Sequence, residues 1–442
     1  MATVRSSFCL TNSSIFFTSS NLKWVPGNYL NTNQNISRIR VIASSSGSNL
    51  MTQSSSVSST AERTNFGFKN LTETFWVDVQ RAEGRPLNVQ INAPLSIGTA
   101  LSLEKVENVA IRVELSNGCV GWGEVAVVPS VTAKNQMVAL AMAKEACEFL
   151  CCSSPRVLNL VLNEIGGILP GTEFASVRAG VEMALIDAVA NSIGVPLWRL
   201  FGGVSNTLTT AITLPSICPA EASELASKYC QLGFKTLKRK MEKNINAEIK
   251  ILQAIQAAHP HCSFIIDANG RYTVKEAIEV LQKLHDSGIR PTLLEQPIHR
   301  YELTGLKEVS DFARGKYGMS VSVDESCESL NDVQGVIKES LADVINIKLA
   351  KFGVMGALEI IELARNSGVN LMISNAVETR LATGFAAHLA AGLGCFKFVS
   401  LDMPFLLSED PVICGYEASG AIYKFLNARG QGGFLKWDFT SW

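Results

Sequence analysis

The sequence predicts a parallel β/α barrel preceded by an α+β domain, and three observations carry that prediction. From Thr209 onward, short β-rich runs alternate with helical runs of ten to fifteen residues. Charged residues stand at the ends of those short runs at nearly constant spacing. Upstream, by contrast, strands come first and helices follow. Alternation is the signature of a parallel barrel, and segregation that of an α+β layer.

The chain has 442 residues, enough for two to three domains at roughly 150 residues each. It is 47% hydrophobic and 18% charged, which excludes a disordered polyelectrolyte. With 39 Lys+Arg against 40 Asp+Glu, the net charge is −1 and the pI near 6.6. No basic surface for nucleic acid or a charged membrane is implied. No apolar run reaches the roughly 18 residues of a membrane span. The 11 Cys include no CxxC pair, so they read as thiols of a reducing compartment.

The elements are read in chain order. Residues 1–60 contain no Asp or Glu, are rich in Ser, and carry only Arg5, Lys23, Arg38 and Arg40 as bases. This is the composition of an organelle transit peptide, with Arg38 to Ala43 resembling a plastid processing region before a Ser-rich linker. The expected location of the mature protein is the chloroplast. An α+β domain is expected over 71–200, with folded sequence starting near Leu71. Phe75 to Arg81 reads as a strand. Val109, Ile111, Val113 and Leu115 alternate with polar residues and meet Asn117-Gly118, a hairpin turn signal, before Val120 to Val125 returns. Helices are expected over Val131 to Cys152 and Phe174 to Ile193, the latter stopped by Gly194. The barrel is expected over 205–403, its strands at Thr210–Leu214, Thr236–Lys240, Phe264–Asp267, Thr292–Glu295, Ser320–Asp324, Val344–Lys348, Asn370–Ser374 and Phe398–Asp402. Helices such as Ala247 to Ala257 and Val274 to Leu284 lie between them. No GxGxxG turn follows the first strand, which argues against a doubly wound sheet. Residues 404–442 form a C-terminal segment expected to pack on the first domain.

The strand ends carry the chemistry. Lys238 and Lys240, Asp267, Glu295, Asp324, Lys348 and Asp402 follow one another, with steps of 24 to 29 residues from Lys240 to Lys348. Each step is one βα unit, and in a closed barrel all these ends open on one mouth. Side chains two apart on a strand share a face, so Lys238 and Lys240 point the same way, as do Asp267 and Asn269. A single acid there reads equally well as a helix cap or an ion pair. Three on consecutive strands repel one another, and a divalent cation relieves that repulsion; all-oxygen ligation suits Mg2+. A lysine beside a cation or a second lysine has a lowered pKa and can remove a proton. Lys348 lies across the barrel from Lys240, so two bases on opposite faces of one carbon allow 1,1-proton transfer, with the metal as Lewis acid.

The motifs Leu237-Lys238-Arg239-Lys240, Asp267-Ala268-Asn269, Glu295-Gln296-Pro297, Val323-Asp324-Glu325-Ser326 and Asn346-Ile347-Lys348 together resemble the enolase superfamily, in particular its muconate-lactonizing-enzyme subgroup. Gly121-Trp122-Gly123-Glu124 and the stretch Gly180 to Asp187 extend the resemblance from about Leu71 to the C-terminus. It implies a modified TIM barrel of (β/α)7β type with an N-terminal capping domain. It also implies one Mg2+ per subunit on Asp267, Glu295 and Asp324, with Lys240 and Lys348 as the acid/base pair and Lys238 on the substrate carboxylate.

The chain is most similar to epimerases of L-Ala-containing dipeptides. These usually carry Asp-x-Asp at the eighth strand for the substrate ammonium; here the triplet is Ser400-Leu401-Asp402, with Ser400 in place of the first acid. Asn92 to Ala100, including Thr99, resembles the mobile loop that closes the mouth in this family. Ser374 and Glu378 follow strand seven and are further candidates for contact with substrate. The partner expected is a small molecule, a dipeptide; nucleic acid and membrane are not expected, and a homo-oligomer is left open. The alternatives on the same fold are an o-succinylbenzoate synthase, an N-acylamino-acid racemase and a muconate cycloisomerase. Outside it stand a Schiff-base lyase using Lys348 and a catalytically silent barrel. His259 and His261 are read as surface residues, His299 as loop packing, and Cys327 as a thiol without a His partner.

Overall fold

The structure, a computed structural model, describes residues 66–97, 101–129 and 131–437. The expected leader and linker, and Thr99, lie outside the described residues.

The alternating segment forms the centre of a three-stranded antiparallel sheet. Leu101–Leu115 pairs with Val79–Ile97 on one side and Val120–Val125 on the other. Val109, Ile111, Val113 and Leu115 are all buried on one face, as period-two alternation requires. Gly118, at φ 79°, takes the left-handed position of the turn. Two differences from expectation appear here. A helix, Phe66–Thr74, precedes the strand expected from Phe75. The stretch from Asn92, expected as a loop because of Pro94 and Gly98, continues the strand ladder: Leu95 pairs with Leu103 and Ile97 with Leu101 after a register shift beyond Gln90. Backbone pairing across a two-stranded tip absorbs the proline at a bulge.

Two helices pack against this sheet, Gln136–Cys152 and Ala175–Ile193, and a third, Leu158–Ile168, packs against them. The first begins at Gln136 rather than Val131 because the Asn135 side chain accepts the Val138 N–H and so caps it. Ala175–Ile193 carries apolar residues on every side, and it is buried nearly throughout. Two glycines let the sheet reach it: a Cβ on Gly121 would stand 2.1 Å from Ala184 O, and one on Gly123 would stand 1.9 Å from Gly180 O. Gly194, at φ 73°, ends the helix.

Eight parallel strands then run in sequence order: Ile212–Leu214, Thr236–Lys240, Ser263–Asp267, Leu293–Glu295, Ser320–Val323, Val344–Ile347, Asn370–Ser374 and Phe396–Ser400. Each of the first seven is followed by a helix, and the eighth by a short 3-10 turn, Met403–Leu406. The sheet comes close to closure, since the Ala211 N–H donates to Val399 O at 2.8 Å and the Thr213 N–H to Asp402 Oδ2 at 2.7 Å. The chain after Leu406 touches both parts. Tyr416–Ser419 and Ile422–Phe425 form a hairpin that pairs with Thr207–Thr209. Farther on, Trp437 lies against Trp122 at 5.4 Å between ring centres, and its Nε1 donates to Glu83. Among the described residues no helix is long and apolar enough to cross a membrane.

Candidate active site

The strands end in register, and this gathers the polar residues. Glu295 is paired with Asp267 and Ser322 in the ladders, and Lys240 with Asp267. The resulting mouth opens into a cavity of about 610 Å³, within the range that holds a small ligand. Its lining includes Lys238, Lys240, Asp267, Asp324, Lys348, Ser374, Ser400 and Asp402. Glu295, fully buried, forms the floor beneath Lys238.

The charges interlock. Lys238 Nζ lies 2.7 Å from Glu295 Oε2 and 3.0 Å from Asp267 Oδ2. Asn346 Nδ2 donates to the other Glu295 oxygen at 2.9 Å, and Ser374 Oγ donates to Asn346 Oδ1 at 2.9 Å. Lys348 pairs with Asp324 Oδ2, while Lys351 holds Asp324 Oδ1 at 3.0 Å and also donates to the Asp324 carbonyl. Gln296, at φ 37°, accepts from the N–H groups of Asp324 and Ser326 and donates to Ser326 Oγ, which latches the fourth strand end to the fifth.

These contacts set the protonation tendencies. Burial opposes the charge on Lys238, but Asp267 and Glu295 outweigh it and hold the ammonium firmly protonated. Burial likewise opposes ionisation of Asp324, and Lys348 and Lys351 more than compensate, so its carboxyl stays far below the usual range. Lys240 goes the other way: burial lowers its pKa, Asp267 only partly offsets this, and the charges of Lys238 and Lys348 lower it further. Burial and the neighbouring Asp267 push Glu295 up to about 7.

Among the described residues no three acidic, imidazole or thiol groups close on a single point, because lysine ammonium groups lie between the acids. The donor set nevertheless fits a hard divalent cation. Asp267, Glu295 and Asp324 are three buried carboxylates side by side at 2%, 0% and 2% exposure, an all-oxygen set. Two buried acceptors nearby, Asn269 Oδ1 and Glu325 Oε2, have no protein partner.

The far side of the mouth is sparser. Asp402 is buried, accepts the Thr213 N–H, and receives a hydrogen bond from Ser400 Oγ at 3.2 Å. Ser400 Oγ thus ties down one oxygen of Asp402. Glu378 is not among the cavity residues; it is buried beside Glu124, and burial with that like charge pushes it up to about 8. The apolar wall is made by Val128, Pro129, Val377, Met403 and Leu406.

Other sequence readings fare unevenly. His299 lines the cavity instead of packing in a loop. His259, read as a surface residue because it precedes Pro260, is buried with Nε2 2.7 Å from Phe234 O. His261 is exposed, and Cys327 is a buried thiol pushed up to about 12 by burial. Lys351 was not anticipated: it lies three residues past Lys348, one turn on, and that spacing was the available signal.

Comparison with known proteins agrees with this arrangement. Residues 82–202 match the mandelate racemase / muconate lactonizing enzyme N-terminal domain, and residues 221–424 the enolase C-terminal domain-like family. An L-Ala-D/L-amino acid epimerase of Populus trichocarpa is 62% identical over 84% of this chain and 88% of its own length. The chain belongs to the dipeptide epimerase family of the enolase superfamily. Like other members of that superfamily's racemase and epimerase class, it is an isomerase acting on amino acids and their derivatives. The structure of a substrate-liganded L-Ala-D/L-Glu epimerase from Bacillus subtilis superposes with a TM-score of 0.76 at 30% identity, covering 81% of this chain and 99% of that one. A dipeptide epimerase from Enterococcus faecalis V583, complexed with Mg and the dipeptide L-Leu-L-Tyr, superposes with a TM-score of 0.72 at 27% identity, covering 80% and 99%.

Proposed function

We propose that the protein is a Mg2+-dependent epimerase of L-Ala-containing dipeptides, which inverts one α-carbon by proton transfer between Lys240 and Lys348. The observation that carries this reading is that the two lysines line one cavity from the second and sixth strand ends, with the three carboxylates and Lys238 beside them. A cation held by Asp267, Glu295 and Asp324, one per subunit, supplies Lewis-acid stabilisation of the negative charge that develops on the substrate carboxylate. Lys238, firmly protonated, holds that carboxylate. Lys240, with its lowered pKa, is the readier base at neutral pH. Lys348 serves the opposite face, acting once its pairing with Asp324 is loosened. Asp402 receives the substrate ammonium through a charge-assisted hydrogen bond, with Ser400 fixing its orientation. The acid-free first 61 residues and the plant origin of the 62% identical relative support import into the plastid and removal of the leader.

The test is α-proton exchange in D2O on each stereoisomer of a dipeptide. Lys240→Ala and Lys348→Ala should both fail to epimerise, yet each should retain exchange on one configuration, and on opposite ones. Epimerisation at the wild-type rate by either variant would rule the two-base scheme out.

A further inference from the structure

The cap helix Ala175–Ile193 carries a buried carboxylate, Glu182, that touches nothing in the cavity. Its partners are in the barrel. The helix that follows the sixth strand, Leu349–Asn366, is broken at Gly353, which has φ 75° and ψ 171°. Helical geometry resumes at Val354, so Val354 and Met355 offer free N–H groups inside the protein. Both point at Glu182 Oε2, at 2.5 and 3.3 Å. Arg178, one turn earlier on the cap helix, donates to Phe352 O at 3.3 Å on the other side of the break. Glycine is required at 353 for its backbone angle and for space: a Cβ there would stand 2.9 Å from Arg178 Nε and 3.0 Å from Glu182 Oε2.

The short turn ahead of this clamp carries Lys348 and Lys351, the two lysines that hold Asp324. Its own internal hydrogen bond is Lys351 N–H to Lys348 O at 3.0 Å. It is therefore a small rigid unit hung between the sixth strand and the point where the cap grips the helix. A carboxylate at a helix start satisfies donors that burial would otherwise leave unpaired, and it favours the positive end of the helix dipole.

We propose that Glu182 is a positioning residue for Lys348: by capping the resumed helix from the cap domain, it sets where the sixth-strand base stands relative to the substrate α-carbon. This rests on the two-lysine reading above. Lys240, on the second strand, is outside the clamp, so the dependence is one-sided. Losing the clamp should impair proton removal by Lys348 and leave removal by Lys240 intact.

The experiment is the same exchange assay with Glu182→Leu, Glu182→Gln, Lys240→Ala and Lys348→Ala, each checked for folding by circular dichroism and melting. The lysine variants identify which isomer each base serves. Glu182→Leu should slow exchange on the Lys348 isomer by about 10- to 100-fold, the cost of a misplaced reacting group. Exchange on the Lys240 isomer should stay within about twofold of the wild type. Glu182→Gln, whose amide oxygen can still accept both N–H groups, should recover most of the loss. Should Glu182→Leu not fold, Arg178→Met removes the other arm and is expected to show a smaller loss with the same one-sidedness. Equal losses on both isomers, or no loss on either, overturn the proposal. If the lysine variants themselves fail to divide the isomers, the two-base reading is what falls, and this inference falls with it.

Discussion

The two sides of the mouth are built differently. From the second strand to the sixth, charged groups interlock: Lys238 bridges two acids, and Asp324 is held by two lysines. From the seventh strand to the first, one acid, Asp402, is held by a backbone N–H and a serine among apolar walls. The first side sets protonation states. The second offers shape and a single charge. Under the proposed mechanism, the ionic side carries the proton transfer and the sparse side recognises the substrate.

Breaking the ionic side should cost most. Asp267→Asn, Glu295→Gln or Asp324→Asn should each lower kcat/KM by about 10³-fold or more while the protein stays folded, since each removes part of a several-kcal/mol stabilisation. Steady-state kinetics with Mg2+ titration and excess chelator checks this, and undiminished activity in chelator would contradict it. Breaking the sparse side should cost less and depend on the substrate. Asp402→Asn should weaken peptides with a free N-terminus by about 10- to 100-fold in kcat/KM, the worth of one charged hydrogen bond. N-acylated analogues should be nearly unaffected; equal losses on both would point to an acylamino-acid racemase or a structural aspartate.

The smallest effect should come from behind the sparse side and appear in stability alone. His388 is buried, accepts the Trp198 N–H on Nδ1 and faces Gln431 O with Nε2; burial pushes its pKa down to about 3. The unfolded chain takes up a proton at this residue below about pH 6.5, and the folded chain resists until near 3. Stability is therefore lost as pH falls through that window, by about 2–3 kcal/mol between pH 6.5 and 4.5. His388→Gln, which can keep both hydrogen bonds, should show a shallower fall of melting temperature with acid and an unchanged kcat at neutral pH. Parallel melting profiles for the two proteins would remove His388 from the account.

The ionic side was the more legible in the sequence, for a physical reason. An acid or lysine at the end of an apolar strand is rare, and the βα repeat fixes its period, so Lys238 to Lys348 could be read in one pass. The cap acids could not be read that way. Glu124 accepts from Thr379 and Ala382, and Glu182 from Val354, partners far away in sequence that no local pattern announces. That the strand runs on past Asn92 to Ile97 could not be read locally, because Pro94 is a turn residue by local rule, while the pairing that overrides it comes from Leu101 to Leu103. His259 was placed at the surface by its proline neighbour, although Phe234 O, 25 residues earlier, draws it inside.

The contact of Gly121 and Gly123 with the cap helix bears on how such an enzyme can diverge. Where two backbones touch, there is no side chain to exchange, and substitution elsewhere in the cap core leaves the spacing between sheet and helix as it was. The helix that carries Glu182 then acts as a fixed datum above the barrel. Residues at the mouth such as Val128, Pro129 and Val131 can change chemistry without moving it. The lining of the mouth and the seating of the cap on the barrel become separately heritable, and a lineage can explore one without risking the other.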